Sequence, residues 1–98
     1  MTERIDRARG VYSIAVAADM VGVGEQTLRL YETRGLLTPD RTAGGTRRYS
    51  EDDLDVVRQV VALLSDGINI AGARRILHLE EANRALRAQL AALSAPSA

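Results

Sequence analysis

The stretch Tyr12-Ser-Ile-Ala-Val-Ala-Ala-Asp-Met-Val-Gly22-Val-Gly24-Glu-Gln-Thr27-Leu-Arg-Leu-Tyr31-Glu-Thr-Arg-Gly35 decides how this chain folds. Ile14, Ala17, Ala18 and Val21 recur at i, i+3, i+4 and i+7, the spacing of one helix face. Ser13 stands where an N-cap oxygen is wanted, and Gly22 stands where a helix end takes left-handed backbone. A second helix is expected from about Glu25 to Thr33. On it Leu28 and Tyr31 point to one side, with Val23 just ahead in the turn, while Gln26, Arg29, Leu30 and Thr33 point the other way. Two helices joined by a short glycine turn, the second exposing polar side chains, are suited to entering a DNA major groove.

The next fifteen residues strengthen that expectation. Gly35 ends the second helix, and Leu36-Leu37 return the chain to the core. Pro39 and the Gly44-Gly45 pair then mark a non-helical segment. Gly-Gly between short arms signals a hairpin, so strands near Arg41–Thr42 and Arg47–Tyr49 are expected to form a wing. Between Arg29 and Arg48 five arginines face two acids, Glu32 and Asp40, a local charge of +3. Glu51, Asp52, Asp53 and Asp55 come next without a base. The formal net charge of zero therefore conceals a basic lobe beside an acidic one, and only one face needs to meet phosphate. All thirteen basic residues are arginine. Arginine suits bidentate phosphate and guanine contacts, although codon bias in a GC-rich genome is the simpler account of the missing lysine.

Composition removes other function classes. Ninety-eight residues make one domain, at most with a tail. There is no cysteine, which excludes disulfides and thiolate metal sites, and His78 is the only histidine. No apolar run approaches the roughly 20 residues of a membrane span, and Met1–Gly10 lacks the apolar stretch of a signal peptide. A cytoplasmic location is expected. No nucleophile–base–acid set or phosphate loop appears, so neither catalytic residues nor an enzyme activity are expected. No cofactor and no metal are expected either. The acids from Glu51 to Asp55 are more simply a helix start than a cation site.

Residues 1–11 read as a flexible N-terminal arm, 12–77 as the DNA-binding domain, 78–94 as a short dimerisation helix and 95–98 as a disordered tail. Ser50 with acids in the next turn opens a third helix, whose stripe is Leu54, Val57, Val61 and Leu64, widened by Val56, Val60 and Leu63. Asp66-Gly67 ends it. Asn69 caps a short fourth helix with Ile70, Ala73, Ile76 and Leu77 inward and Arg74 and Arg75 as solubilising charges. Leu79, Asn83, Leu86, Leu90 and Leu93 then follow a heptad pattern, with Leu at d and Asn or Leu at a. Two heptads do not hold a free helix in water, so this stripe needs a partner, and a second copy of the chain is favoured. The expected class is mainly α: a winged helix-turn-helix with a small β-hairpin wing, two further helices and a short C-terminal coiled-coil helix.

The pattern Tyr12-Ser-Ile, Gly22-Val, Thr27-Leu-Arg-x-Tyr31-Glu, Gly35-Leu-Leu-x-Pro39-x-Arg41, Gly45-x-Arg47-x-Tyr49-Ser resembles the DNA-binding domain of the MerR family of bacterial regulators. The resemblance covers about Tyr12 to Leu77. Arg47-Arg-Tyr-Ser50 and Asn69-Ile-Ala-Gly-x-Arg-Arg-Ile76 look most like the heat-shock repressor (HspR) branch. It implies DNA contacts from Gln26, Thr27, Arg29, Leu30 and Tyr31 on the second helix and from Arg41, Gly45, Arg47, Arg48 and Tyr49 on the wing. It also implies an antiparallel homodimer, and it admits a chaperone or other protein co-regulator as a partner. Leu30 stands where the family often has tyrosine, and Thr46 where it often has an aromatic residue. About two heptads follow Leu79 in this sequence, and an effector domain of the kind many members carry is not expected. An exposed Leu30 fits a thymine methyl, and equally a leucine with no role.

These features together indicate a sequence-specific transcriptional regulator, with an HspR-like repressor as its finer form. Two other readings use the same features. A small architectural winged-helix protein, as in phage excision, would bend DNA for recombination. A protein-interaction adaptor would use only the leucine-rich tail, and Arg29, Tyr31, Arg47 and Tyr49 argue against it. His78 reads as a surface or interface histidine, with a switching role only at a dimer seam.

Overall fold

A computed structural model describes residues 6–94, so expectations for 1–5 and 95–98 fall outside the described residues. The helix-turn-helix begins with α1 (Ile14–Val21). The Ser13 side chain accepts from the Val16 N–H, and Gly22 closes the helix in left-handed backbone at φ 72°. Helix α2 (Glu25–Thr33) starts just past this turn, at Gly24. Strands β1 (Asp40–Arg41) and β2 (Arg47–Arg48) make the antiparallel wing, pairing Asp40 with Arg48 and Arg41 with Arg47. Strand β2 is shorter than expected, because Tyr49 leaves it to pair with Tyr12. Gly45, at φ 83°, makes the turn, and its N–H donates to the Thr42 carbonyl.

Helix α3 (Glu51–Ser65) carries a full capping box. Ser50 Oγ accepts from the Asp53 N–H at 3.0 Å, and Asp53 Oδ2 accepts from the Ser50 N–H at 2.9 Å. Such a box satisfies two otherwise unpaired donors at once. Helix α4 runs without a break from Ile70 to Ser94. Asn69 caps it, its side-chain oxygen taking the Gly72 N–H at 2.8 Å. The short fourth helix and the C-terminal helix expected from the sequence are thus one helix. Leu77-His78-Leu79 holds no glycine, proline or cap residue that would end a helix there.

The core is formed by Ala17 and Ala18 of α1, Leu28 and Tyr31 of α2, Leu36, Leu37 and Tyr49 of the connections, and Leu54, Val57 and Val60 of α3. Helix α1 packs on both α2 and α3, and α3 packs on α4. In α3 it is Val60, not Val61, that is fully buried, while Val61 faces outward. Only the first turns of α4 join the core: Ala73 is buried, and Ile70 and Leu77 pack against it. From His78 to Ser94 every residue is exposed. The radius of gyration is 16.1 Å, against the roughly 13 Å usual for a compact chain of this size. A projecting helix accounts for the excess.

Residues 6–11, expected to belong to a flexible arm, are tied down in the structure. Arg7 pairs with Asp52 and Asp55 of α3, and its carbonyl accepts from the Asp52 N–H. The Gly10 N–H donates to Asp40 at 2.8 Å. The Tyr49 carbonyl accepts from the Val11 and Tyr12 N–H groups, and the Tyr49 N–H donates to the Tyr12 carbonyl at 2.7 Å. Residues 10–12 thus run alongside the end of β2, with Tyr12 and Tyr49 forming an isolated antiparallel bridge.

Candidate nucleic-acid interface

Helix α2 divides as its sequence period dictates. Leu28 and Tyr31 face inward, and Gln26, Leu30 and Thr33 are exposed. Thr27 and Arg29 lie at the margin between the two faces. Arg29 is held loosely by Glu25 one turn back, at 3.7 Å. Such an exposed i,i+4 pair is worth about 0.3–0.5 kcal/mol and does not prevent Arg29 from reaching another anion. The outer face therefore presents an amide, a guanidinium and one leucine, 41% exposed, in consecutive turns.

The wing stands beside this face, and one residue fastens the two together. Glu32 of α2 accepts from Arg41 Nη2 at 2.7 Å through one carboxylate oxygen and from Arg47 Nε through the other. Arg41 and Arg47 are opposite each other on the two strands, so a single carboxylate spans the hairpin. The guanidinium of Arg47 is held protonated more strongly than usual, first by its hydrogen bond to Glu32 and then by that charge. Arg41 also donates to the Gly45 carbonyl, which rigidifies the turn. Arg48 is half-buried and bonds the adjacent Arg47 carbonyl.

Two residues expected to contact DNA lie elsewhere. Tyr31 is 3% exposed and Tyr49 is fully buried. Both are core residues: Tyr31 on the inner face of α2, and Tyr49 just past β2, where it pairs with Tyr12. The Tyr49 hydroxyl has no hydrogen-bond partner among the described residues, and burial raises its pKa above the usual tyrosine value. Gly45 shapes the turn, and its N–H is already used within it. The remaining expected residues, Gln26, Thr27, Arg29, Leu30, Arg41, Arg47 and Arg48, gather on α2 and the wing.

The structure adds residues that the sequence does not single out. Glu32 counts there only as one of two acids in a basic stretch, since its partners lie nine and fifteen residues away and leave no local signal. Arg74, expected to be a solubilising charge, reaches back to the Arg34 carbonyl at the end of α2 at 3.4 Å. A cation at a helix C-terminus meets the negative end of its dipole. Gly10 lies so close to β2 that a Cβ on it would be 2.3 Å from the Arg48 carbonyl oxygen. His78 stands with Arg74 and Arg75 beside Gly35, away from the Leu79–Leu93 stripe. Among the described residues no group of histidine and acidic side chains is placed to hold a metal, and no helix is long and apolar enough to cross a membrane.

The model of the MerR HTH family of regulatory proteins matches residues 12–80, the whole of the helix-turn-helix, wing and α3. This chain belongs to the MerR family. A Streptomyces coelicolor protein that carries the name putative heat shock protein HspR is 51% identical over 86 residues, covering 87% of this chain and 57% of that protein. The chain thus spans little more than half the length of that relative. Among solved structures, HiNmlR, a MerR family regulator lacking the sensor domain and bound to promoter DNA, superposes with a TM-score of 0.62 at 25% identity, covering 85% of this chain and 75% of that one. The regulator PbrR691 from Ralstonia metallidurans, in complex with lead(II), gives a TM-score of 0.68 at 25% identity over 86% of this chain and 73% of that one. The MerR family members it resembles are regulators rather than enzymes.

Proposed function

We propose that this chain is a sequence-specific, DNA-binding transcriptional regulator of the HspR type, acting as a repressor in the cytoplasm. The observation that carries this reading is the placement of Arg41 and Arg47 of the wing beside the exposed Gln26–Arg29–Leu30 face of α2. A helix of this exposure suits base edges in the major groove, and flanking guanidiniums suit phosphates. The likeness to a family member held on promoter DNA supports the same assignment. The solved relatives are named as regulators, which disfavours the architectural and adaptor readings.

The functional unit in this proposal is an antiparallel homodimer. Leu79, Leu86, Leu90 and Leu93 are 60–85% exposed on the outer part of α4, beyond its contact with the core. With Asn83 they line one side of the helix. A projecting helix of this length is marginal alone in water, so packing against a second copy supplies its stability. Glu80 and Arg87 share the e position of the heptad, and e meets e only when the two helices run antiparallel. A chaperone or other protein co-regulator is a further partner within this proposal, suggested by the similarity to the HspR relative.

Selection of bound duplexes from a random-sequence pool, followed by footprinting on the matching genomic site, tests the proposal. A recovered consensus with two half-sites inside a promoter is the expected result. Recovery of no consensus at any salt concentration contradicts sequence-specific binding, and tandem direct repeats would favour the architectural reading.

A further inference from the structure

We infer that Glu32 is a resident anion that DNA phosphate must displace from the wing, so that one carboxylate limits how tightly this chain binds any duplex. The inference rests on the proposed DNA-binding function and concerns how its affinity is set. Glu32 offers both carboxylate oxygens to two guanidiniums, Arg41 Nη2 and Arg47 Nε. Two oxygens of one anion meeting two guanidiniums is also the arrangement by which arginines hold a phosphate. The carboxylate thus occupies the donors that backbone contact requires.

The site is poised for exchange. The Arg41 and Arg47 side chains are 47% and 33% exposed, whereas Glu32 is 20% exposed. The arginines are therefore open to an incoming phosphate on the solvent side while Glu32 holds them from behind. Arg29 and Arg48 hold no comparable bidentate partner. Beneath the cluster lies the buried Tyr49 hydroxyl, a donor with no acceptor among the described residues. It lies near enough for the charges of Glu32 and Arg47 to act on its ionisation.

The consequence is uniform across sequences, because phosphate contact carries no base information. Replacing Glu32 by glutamine keeps the shape and one acceptor oxygen and removes the charge. Glu32→Gln should tighten binding to an operator duplex and to a duplex of scrambled sequence by a similar factor. That factor is about two- to thirtyfold, the fold equivalent of two ion pairs of ordinary surface strength. The dependence of affinity on salt should steepen by about one unit in the log–log slope. In an Arg41→Ala/Arg47→Ala background the same change should do much less, since the donors it frees are gone.

The experiment is a salt titration of binding to both duplexes for the parent, Glu32→Gln, Arg41→Ala/Arg47→Ala and the triple variant, with hydrogen exchange of the wing amides as a check on folding. Tighter binding, a steeper slope and loss of the effect in the triple variant support the inference. A Glu32→Gln protein whose affinity falls or stays level overturns it, leaving Glu32 as a wing tether only. If hydrogen exchange shows that the glutamine variant has lost its wing, Glu32→Asp decides instead. It keeps the charge on a shorter stem, and by this account binds more tightly than the parent and less steeply with salt than a charge-free variant. Equal binding by Glu32→Asp and the parent again overturns the inference. A parent that binds neither duplex would sink the functional proposal itself, a result distinct from a parent that binds and a variant that changes nothing.

Discussion

Gly10→Ala separates this structure from a generic expectation by the sign of the effect. Gly10 is not among the glycines with positive φ, so alanine can adopt its backbone. At such a site a glycine-to-alanine change ordinarily stabilises a protein, by about 0.4–1 kcal/mol, through the unfolded chain. Here the added Cβ would lie 2.3 Å from the Arg48 carbonyl oxygen, 2.9 Å from its carbon and 2.9 Å from Asp40 Cβ. Ordinary contact needs about 3.5 Å, so the segment must move away by roughly 1 Å. Two of the three neighbours are backbone and cannot rotate aside. The displacement strains the Gly10–Asp40 bond, at 2.8 Å, and the adjacent Val11–Tyr49 bond, at 2.9 Å. Loss of one charge-assisted and one neutral hydrogen bond costs about 2–4 kcal/mol. Urea denaturation monitored by circular dichroism measures this. With a slope of about 1–3 kcal/mol/M for a small protein, the midpoint should fall by roughly 1 M or more. An unchanged or raised midpoint would refute the close approach of Gly10 to β2.

Other parts of the molecule carry their own expected outcomes. Leu86→Asp should give monomers in sedimentation equilibrium that bind a half-site but lose cooperative occupancy of the full site; a dimeric variant with normal full-site binding would place the interface elsewhere than on α4. Burial raises the Asp53 carboxyl above its usual range, with the Ser50 hydrogen bonds opposing that shift only in part. A folded-state pKa above the unfolded one means that the contribution of this group to stability falls as pH rises from 3.8 through the folded value. The stability of the parent relative to Asp53→Asn should therefore be lower at about pH 7 than at about pH 3 in urea titrations, and a larger margin at neutral pH would contradict it. Asn69→Ala removes the cap of α4 and should cost about 0.5–2 kcal/mol in the same assay; no loss would mean that the Gly72 N–H finds its acceptor elsewhere.

The elements of the fold are legible in the sequence where a local rule fixes them. Ser13, Ser50 and Asn69 cap helices because their side-chain oxygens reach N–H groups only three residues on, a relation written in the sequence. Gly22 and Gly45 mark turns because their positive φ values are ones that other residues adopt only at a cost. The inward set Leu28 and Tyr31 follows from the helix period. Illegible features depend on distant residues. The period puts Tyr31 on the inner face while the family pattern draws it to DNA, and burial settles for the period. Tyr49 adjoins exposed arginines at the end of β2, and its pairing with Tyr12 carries it into the core. Glu32 gives no sign of its two partners because a helix and a hairpin must meet before the contact exists. The break expected near His78 is a change in which face is apolar, where the helix leaves the body, and a change of face does not require a change of backbone.

In this account α2 reads bases while the wing grips phosphate. The most direct test measures, against salt, the affinity of the parent, Arg29→Ala and Arg47→Ala for the selected operator and for a scrambled duplex. Loss of Arg47 is expected to weaken both duplexes alike and to lower the salt slope by about one unit. Loss of Arg29 is expected to narrow the gap between operator and scrambled duplex by roughly 1–3 kcal/mol, the worth of one base contact. Two variants that bind both duplexes as the parent does would contradict the placement of the DNA on this face of the molecule.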